Sequence, residues 1–131
     1  MLRAVTPITA ARFASAIVMP NTEPPIDTVE MAAEYKKEIL AAVPAGSSFE
    51  PLMTLYLTKK LTPAEIEKSV GAMHAVKSYP YDATTNSQWG YPSILEAADV
   101  LKKMEEVGMP LLLHGEVHLN DAGEEEDPYD G

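Results

Sequence analysis

Apolar positions along this chain follow two alternating rhythms. Short apolar runs at Ala16–Met19, Leu52–Leu57, Val76–Tyr79 and Leu111–Leu113 have the length of strands. Between them, apolar residues recur at helical spacing. Val29, Ala32, Ala33, Leu40 and Val43 mark one helix face, with Lys37 and Glu38 on its polar side, and Ile94, Ala97, Ala98, Leu101 and Met104 mark another. The boundaries carry their own signals. Thr6-Pro7 reads as a cap followed by proline in the first turn and predicts a helix from about residue 7 to 14. Asp27 and Glu30 have capping-box spacing, as do Ser93 and Glu96. Thr62-Pro63-Ala64-Glu65 adds proline at the first helical position, and its helix ends near Gly71. Gly108 suits a helix C-terminus. Residues 20–27 form a proline-rich loop, and Thr84-Thr85-Asn86-Ser87 is a polar loop after the third strand.

A helix and then four strands separated by three helices predict a parallel α/β architecture. A complete eightfold barrel takes roughly 250 residues. A chain of 131 residues therefore fits a half TIM-type (β/α)8 barrel or a small open doubly wound sheet. Composition narrows the partners. The chain is 46% hydrophobic and 23% charged, which is the make-up of a globular domain. A net charge of -10 argues against nucleic acid or an anionic membrane surface as a partner. Part of that charge sits in Glu124-Glu125-Glu126-Asp127, read as a solvated run in an acidic C-terminal segment, residues 118–131. With no cysteine there is no disulfide, thiolate zinc site or cysteine nucleophile, which fits a reducing, cytoplasmic location. No apolar run is long enough to span a membrane, and Arg12 interrupts any signal-peptide core.

The candidate chemistry lies on the third and fourth strands. Lys77 stands inside an apolar strand, where burial disfavours its charged form and leaves a nucleophilic amine that can add carbon dioxide. The resulting carbamate can bridge two metal ions. The alternative is a strand lysine that carries its ammonium out to water. His114 follows the fourth strand and offers a neutral imidazole, a common zinc ligand, or else simply packs at a strand end. His74 and His118 read as surface or loop residues. Asn21 follows a Met-Pro turn, and its amide can donate to a carboxylate or merely serve the turn. Trp89, Tyr79 and Tyr81 read as packing residues.

These segments carry a family resemblance. Ala16-Ile17-Val18-Met19-Pro20-Asn21, Pro24-Pro25, Pro51-Leu52-Met53-Thr54, Tyr56-Leu57-Thr58, the lysine strand with its Ala83-to-Ser87 loop, and Gly108 through Val117 occur in the order found in dihydroorotases. The chain resembles the homodimeric, single-function type of that family, in the amidohydrolase superfamily. The resemblance favours the half barrel, over residues 1–117. It implies a hydrolase of pyrimidine biosynthesis that interconverts N-carbamoyl-aspartate and dihydroorotate reversibly, with two zinc ions as cofactors and an aspartate moving the proton. It further implies that Lys77 is carboxylated and, with His114, ligates zinc. Asn21 would hold the substrate carboxylate, and Thr84 and Thr85 would belong to a mobile loop that closes over it.

The departures also carry information. The family's His-x-His pair is absent from this sequence, and Met1-Leu2-Arg3 resembles its end only superficially, since residues 1–7 match the segment just after it. The family's later histidine ligand, catalytic aspartate and further substrate-binding histidine would fall beyond residue 117. The expectation is an internal fragment lacking both ends, inactive by itself, with no catalytic acid or base of its own. Two other readings stand beside it: a hydantoinase- or allantoinase-like hydrolase, disfavoured by the Ala83-to-Ser87 loop, and a non-catalytic half barrel that binds or assembles.

Overall fold

A computed structural model describes residues 2–115, together with the backbone of His118–Leu119 and Glu125–Glu126. Met1, Glu116 and Val117 of the Gly-Glu-Val motif, and Glu124 and Asp127 of the acidic run, lie outside the described residues, as does the side chain of His118. The elements are α1 (Leu2–Ala10), β1 (Ser15–Val18), α2 (Val29–Ala41), β2 (Glu50–Tyr56), α3 (Pro63–Ser69), β3 (Ala75–Ser78), a 3-10 turn (Ile94–Ala97) running into α4 (Ala98–Val107), β4 (Leu111–Leu113), and a short antiparallel pair, β5 (His118–Leu119) and β6 (Glu125–Glu126). Strands β1 to β4 pair in sequence order, every neighbour parallel. The result is a four-strand half barrel with helices along one face.

Burial separates the two faces of the sheet. Met53, Leu55, Leu57 and Val76 join Ala32, Ile39, Ile66, Ala97, Val100 and Met104 in one cluster under the helices. Because strand side chains alternate, Leu52, Thr54 and Tyr56, and likewise Ala75, Lys77 and Tyr79, point to the opposite, inner face. Tyr56 is fully buried there, outside the helix-covered cluster. Register aligns Tyr56 with Lys77 and Lys77 with Leu112, so the inner faces of three strands meet in one row.

Four local expectations need correction. The first helix begins at Leu2 and encloses Pro7, ending at Ala10. Proline there removes one backbone donor, but Leu2 and Ala10 pack against the core cluster, and that packing outweighs the local signal. The second helix is capped by Thr28, whose hydroxyl accepts from the Met31 amide, and not by Asp27. Asp27 is turned inward and accepts a hydrogen bond from the Thr58 hydroxyl at 2.7 Å. The buried side of α2 runs through Ala32 and Ile39, with Tyr35 partly buried, while Ala33 is exposed and Leu40 is 44% exposed. Finally, the Ser93 hydroxyl accepts from the Leu95 amide while the Glu96 amide donates to the Ser93 carbonyl, so the element opens with a 3-10 turn, and Val100 takes the buried position expected of Ala98.

The cap at Thr62 is as the sequence predicts, with its hydroxyl accepting from the Glu65 amide. The Glu65 carboxylate does not fold back to complete the box. Its Oε1 accepts from the Val29 amide at 2.7 Å, so α3 caps the first residue of α2. Gly108, in the left-handed region at φ 70°, ends α4 and aims the chain into β4.

Replacing Glu65 with alanine is expected to lower stability by about 1–2 kcal/mol. Glu34→Ala, which breaks only an exposed pair with Lys37, is expected to change it by less than about 0.5 kcal/mol. Denaturant titration of both variants checks this, and equal effects would refute the cross-helix cap. Strands β1 and β4 also end the sheet among the described residues, and Ile17 and Leu113 beside those edges are 50% and 49% exposed. Open edges invite pairing, so sedimentation is expected to show concentration-dependent association. A compact monomer at every concentration would contradict that.

Candidate functional site

All four strands of the arc run the same way, so their C-terminal ends share one rim. Asn21 lies three residues past β1, Lys77 is the next-to-last residue of β3, and His114 directly follows β4. The structure therefore brings Asn21, Lys77 and His114 to one end, the rim where parallel barrels carry their sites. The backbone fixes His114 there, because its amide donates to the Ser78 carbonyl at 3.1 Å.

Lys77 is 8% exposed. Burial pushes its ammonium below the usual lysine pKa. Its Nζ lies 5.2 Å from the centre of the Tyr79 ring, close enough for a cation–π attraction that offsets part of the lost hydration. The Tyr79 ring also meets Tyr56 edge-on at 4.9 Å and lies 5.9 Å from the His114 ring. Its hydroxyl donates to Asn21 Oδ1 at 3.0 Å. Burial pushes the Tyr79 phenol up to about 12, so it remains a donor over the ordinary pH range.

Asn21 ties this cluster to the polar loop. Its Nδ2 donates to the Thr85 carbonyl at 3.0 Å, and its own backbone carbonyl accepts from Asn86 Nδ2 at 3.0 Å. The loop is closed internally: the Thr84 amide donates to Ser87 Oγ at 2.9 Å, and Ser87 Oγ donates to the Thr84 carbonyl at 2.6 Å. Asn86 adopts φ 57°, a left-handed conformation that asparagine tolerates. Gly90 brings the loop back against β3, and a Cβ there would stand 2.2 Å from the Tyr79 carbonyl oxygen. Thr85 thus meets Asn21 through its backbone carbonyl with its side chain exposed, while the backbone of Thr84 is bonded to Ser87 within the loop.

Tyr79, Tyr56 and Asn86 belong to this cluster and were not anticipated as functional. The signal for Tyr79 was its place two residues after Lys77, which puts both on one strand face. His74 is exposed, as expected. Tyr81 does not pack: it is exposed, beside a cavity of about 170 Å³ that it shares with Trp89, Lys60 and Asp27. Trp89 is half-buried with the Lys60 ammonium 5.6 Å from its ring centre.

The donor set of the described residues does not by itself fit a zinc ion. Among the described residues no three His, Cys, Asp or Glu side chains converge. Lys77, even as a carbamate, and His114 would supply two ligands, where a tetrahedral zinc needs four including any water.

Comparison with known proteins gives the cluster a context. No family model matches the chain. A dihydroorotase from Halorhodospira halophila is 55% identical over 118 residues, and one from Cupriavidus pinatubonensis is 56% identical over 119. Over the matched span this chain is similar to dihydroorotases. The match takes in 88% of the chain but 34% of each relative, so the chain spans about a third of the length of these dihydroorotases. Solved structures agree. A Campylobacter jejuni dihydroorotase superposes with a TM-score of 0.80 at 34% identity, covering 91% of this chain and 35% of that one. A Saccharomyces cerevisiae dihydroorotase, solved in complex with 5-fluoroorotic acid, gives 0.82 at 36% identity, covering 95% and 35%. The half barrel therefore has the fold of the matching third of these dihydroorotases.

The raised Tyr79 pKa makes a testable difference. The folded state holds this proton up to about 12 against an ordinary 10.0, so the stabilisation is fully present below pH 10 and is lost as pH climbs towards 12. Between those values the wild-type thermal midpoint is expected to fall relative to that of Tyr79→Phe. Parallel curves across the range would show that the phenol is not buried.

Proposed function

We propose that this chain supplies the carboxylate-binding and lysine-bearing part of a dihydroorotase-like cyclic amide hydrolase. Its substrate pair is dihydroorotate and N-carbamoyl-aspartate, interconverted reversibly in pyrimidine synthesis. The observation that carries the reading is the convergence of Asn21, Lys77 and His114 around Tyr79 at one strand rim, in a chain 55% identical to a dihydroorotase. Asn21 binds the substrate carboxylate. The Thr84–Ser87 loop, with Thr84 and Thr85, covers it and limits water. Lys77, carboxylated on its Nζ, and His114 are the two metal donors this chain contributes. Zinc, two ions in the complete site, would supply electrophilic activation once donors from outside these residues are added. The same reading includes a cytoplasmic location and a homodimeric whole enzyme, with residues 1–117 as the barrel part and 118–131 as an acidic appendage.

The donor set, incomplete among the described residues, supports a corollary: the 131-residue chain alone has no dihydroorotase turnover. The deciding experiment grafts residues 1–117 into the Halorhodospira halophila dihydroorotase in place of the matching third. The chimera is expected to hydrolyse dihydroorotate, and Lys77→Ala within it to reduce activity by at least about tenfold, the loss of a metal donor. A folded, zinc-loaded chimera without activity would overturn the proposal, and so would turnover by the isolated chain that survives Lys77→Ala.

A further inference from the structure

One residue touches every part of the cluster. The Tyr79 ring contacts Lys77, His114 and Tyr56, its hydroxyl holds Asn21, and its carbonyl is the surface against which Gly90 returns the loop. Asn21 in turn is fixed from both sides. The Thr85 carbonyl can only accept, so it selects the Nδ2 side of the amide; the Tyr79 hydroxyl then donates to Oδ1. Nδ2 carries two protons, and the Thr85 carbonyl takes one. The same nitrogen that anchors the loop can therefore also donate to a bound carboxylate.

We propose that Tyr79 is a positioning residue: through its hydroxyl it fixes the Asn21 amide, so that carboxylate binding and docking of the Thr84–Ser87 loop share one nitrogen, while its ring sets Lys77 and His114 beside that loop. This rests on the carboxylate-binding reading of Asn21. It adds a coupling between ligand and loop that neither residue has alone. Removing the hydroxyl takes away one of the two contacts that hold the amide, so the Thr85 carbonyl alone orients it and Nδ2 is held less firmly towards both the loop and the ligand. Both interactions weaken together, although no atom that touches the ligand has been removed.

The test uses the full chain with 5-fluoroorotate as a probe, followed by fluorine NMR, in wild type, Tyr79→Phe, Asn21→Ala and the double variant. Tyr79→Phe is expected to weaken binding roughly fivefold, the size of one neutral hydrogen bond. In the Asn21→Ala background the same change is expected to cost nothing more, since its effect runs through Asn21. Hydrogen exchange at the Thr84 and Ser87 amides is expected to quicken alike in both single variants and no further in the double. Additive losses, or unchanged exchange in Tyr79→Phe, would overturn the proposal. A purely structural tyrosine would behave differently: Phe would match wild type in both readouts, and only Tyr79→Leu, which removes the ring, would show an effect. If wild type fails to bind the probe, the carboxylate-binding reading falls, and the exchange arm still decides the coupling between Tyr79 and Asn21.

Discussion

Parallel register is the constraint on which this molecule depends. Tyr56, Lys77 and Leu112 are cross-strand partners, which puts the lysine in the inner row. A slip of one residue would exchange the faces of β3. Lys77 would then enter the helix-covered cluster occupied by Val76, among Leu55, Val100 and Met104, with no aromatic face to receive its charge. The apolar packing of Val76 under α3 and α4 therefore does more than stabilise the sheet. It holds the amine on the face where Tyr79 lies.

What the sequence disclosed divides by range. Thr62 and Pro63 were legible because a cap and its amide are three residues apart, and Gly108 because the left-handed turn is a property of one residue. The barrel arc was legible from the alternation of strand and helix periods, and the family segments marked its rim. Asp27 was misread because its partner, Thr58, lies 31 residues away, and nothing nearby shows that the carboxylate is already taken. The early start of α1 was hidden for a similar reason: Pro7 speaks locally for a helix start, while the packing of Leu2 and Ala10 against the core cluster exists only after folding. Tyr79 was assigned to packing, and its ring does pack. Its hydroxyl finds Asn21 across 58 residues, a contact that composition and periodicity do not encode.

The site combines a rigid half with a conditional one. Lys77 and His114 are set by strand pairing, the second through its own amide on the Ser78 carbonyl. Asn21 and the loop are set by a few neutral hydrogen bonds, each worth about 1 kcal/mol net. Such bonds can be traded for those of a ligand, whereas the strand ladder cannot. The loop closure proposed above would require this gradation, and the fold supplies it by placing the asparagine past the end of β1 rather than within it.

Charge adds a last constraint. A net charge of -10 disfavours the approach of the anionic substrates proposed for this rim. Screening limits the reach of that repulsion to about 8 Å at physiological ionic strength, so the groups adjoining the rim matter more than the total. Those facing the cluster are neutral or cationic: amides from Asn21 and Asn86, the Tyr79 phenol and the Lys77 amine. The exposed acidic side chains of the pairs Glu30–Lys68, Glu34–Lys37 and Glu106–Lys103 lie on helices and are partly neutralised by their own lysines. If Lys77 becomes a carbamate, the rim exchanges a cation for an anion, and an anionic substrate would then be repelled unless divalent metal arrives with the modification. In the proposed function, carboxylation, metal loading and substrate binding at this rim would therefore be linked in sign, and without the metal the lysine is better left unmodified, held against Tyr79.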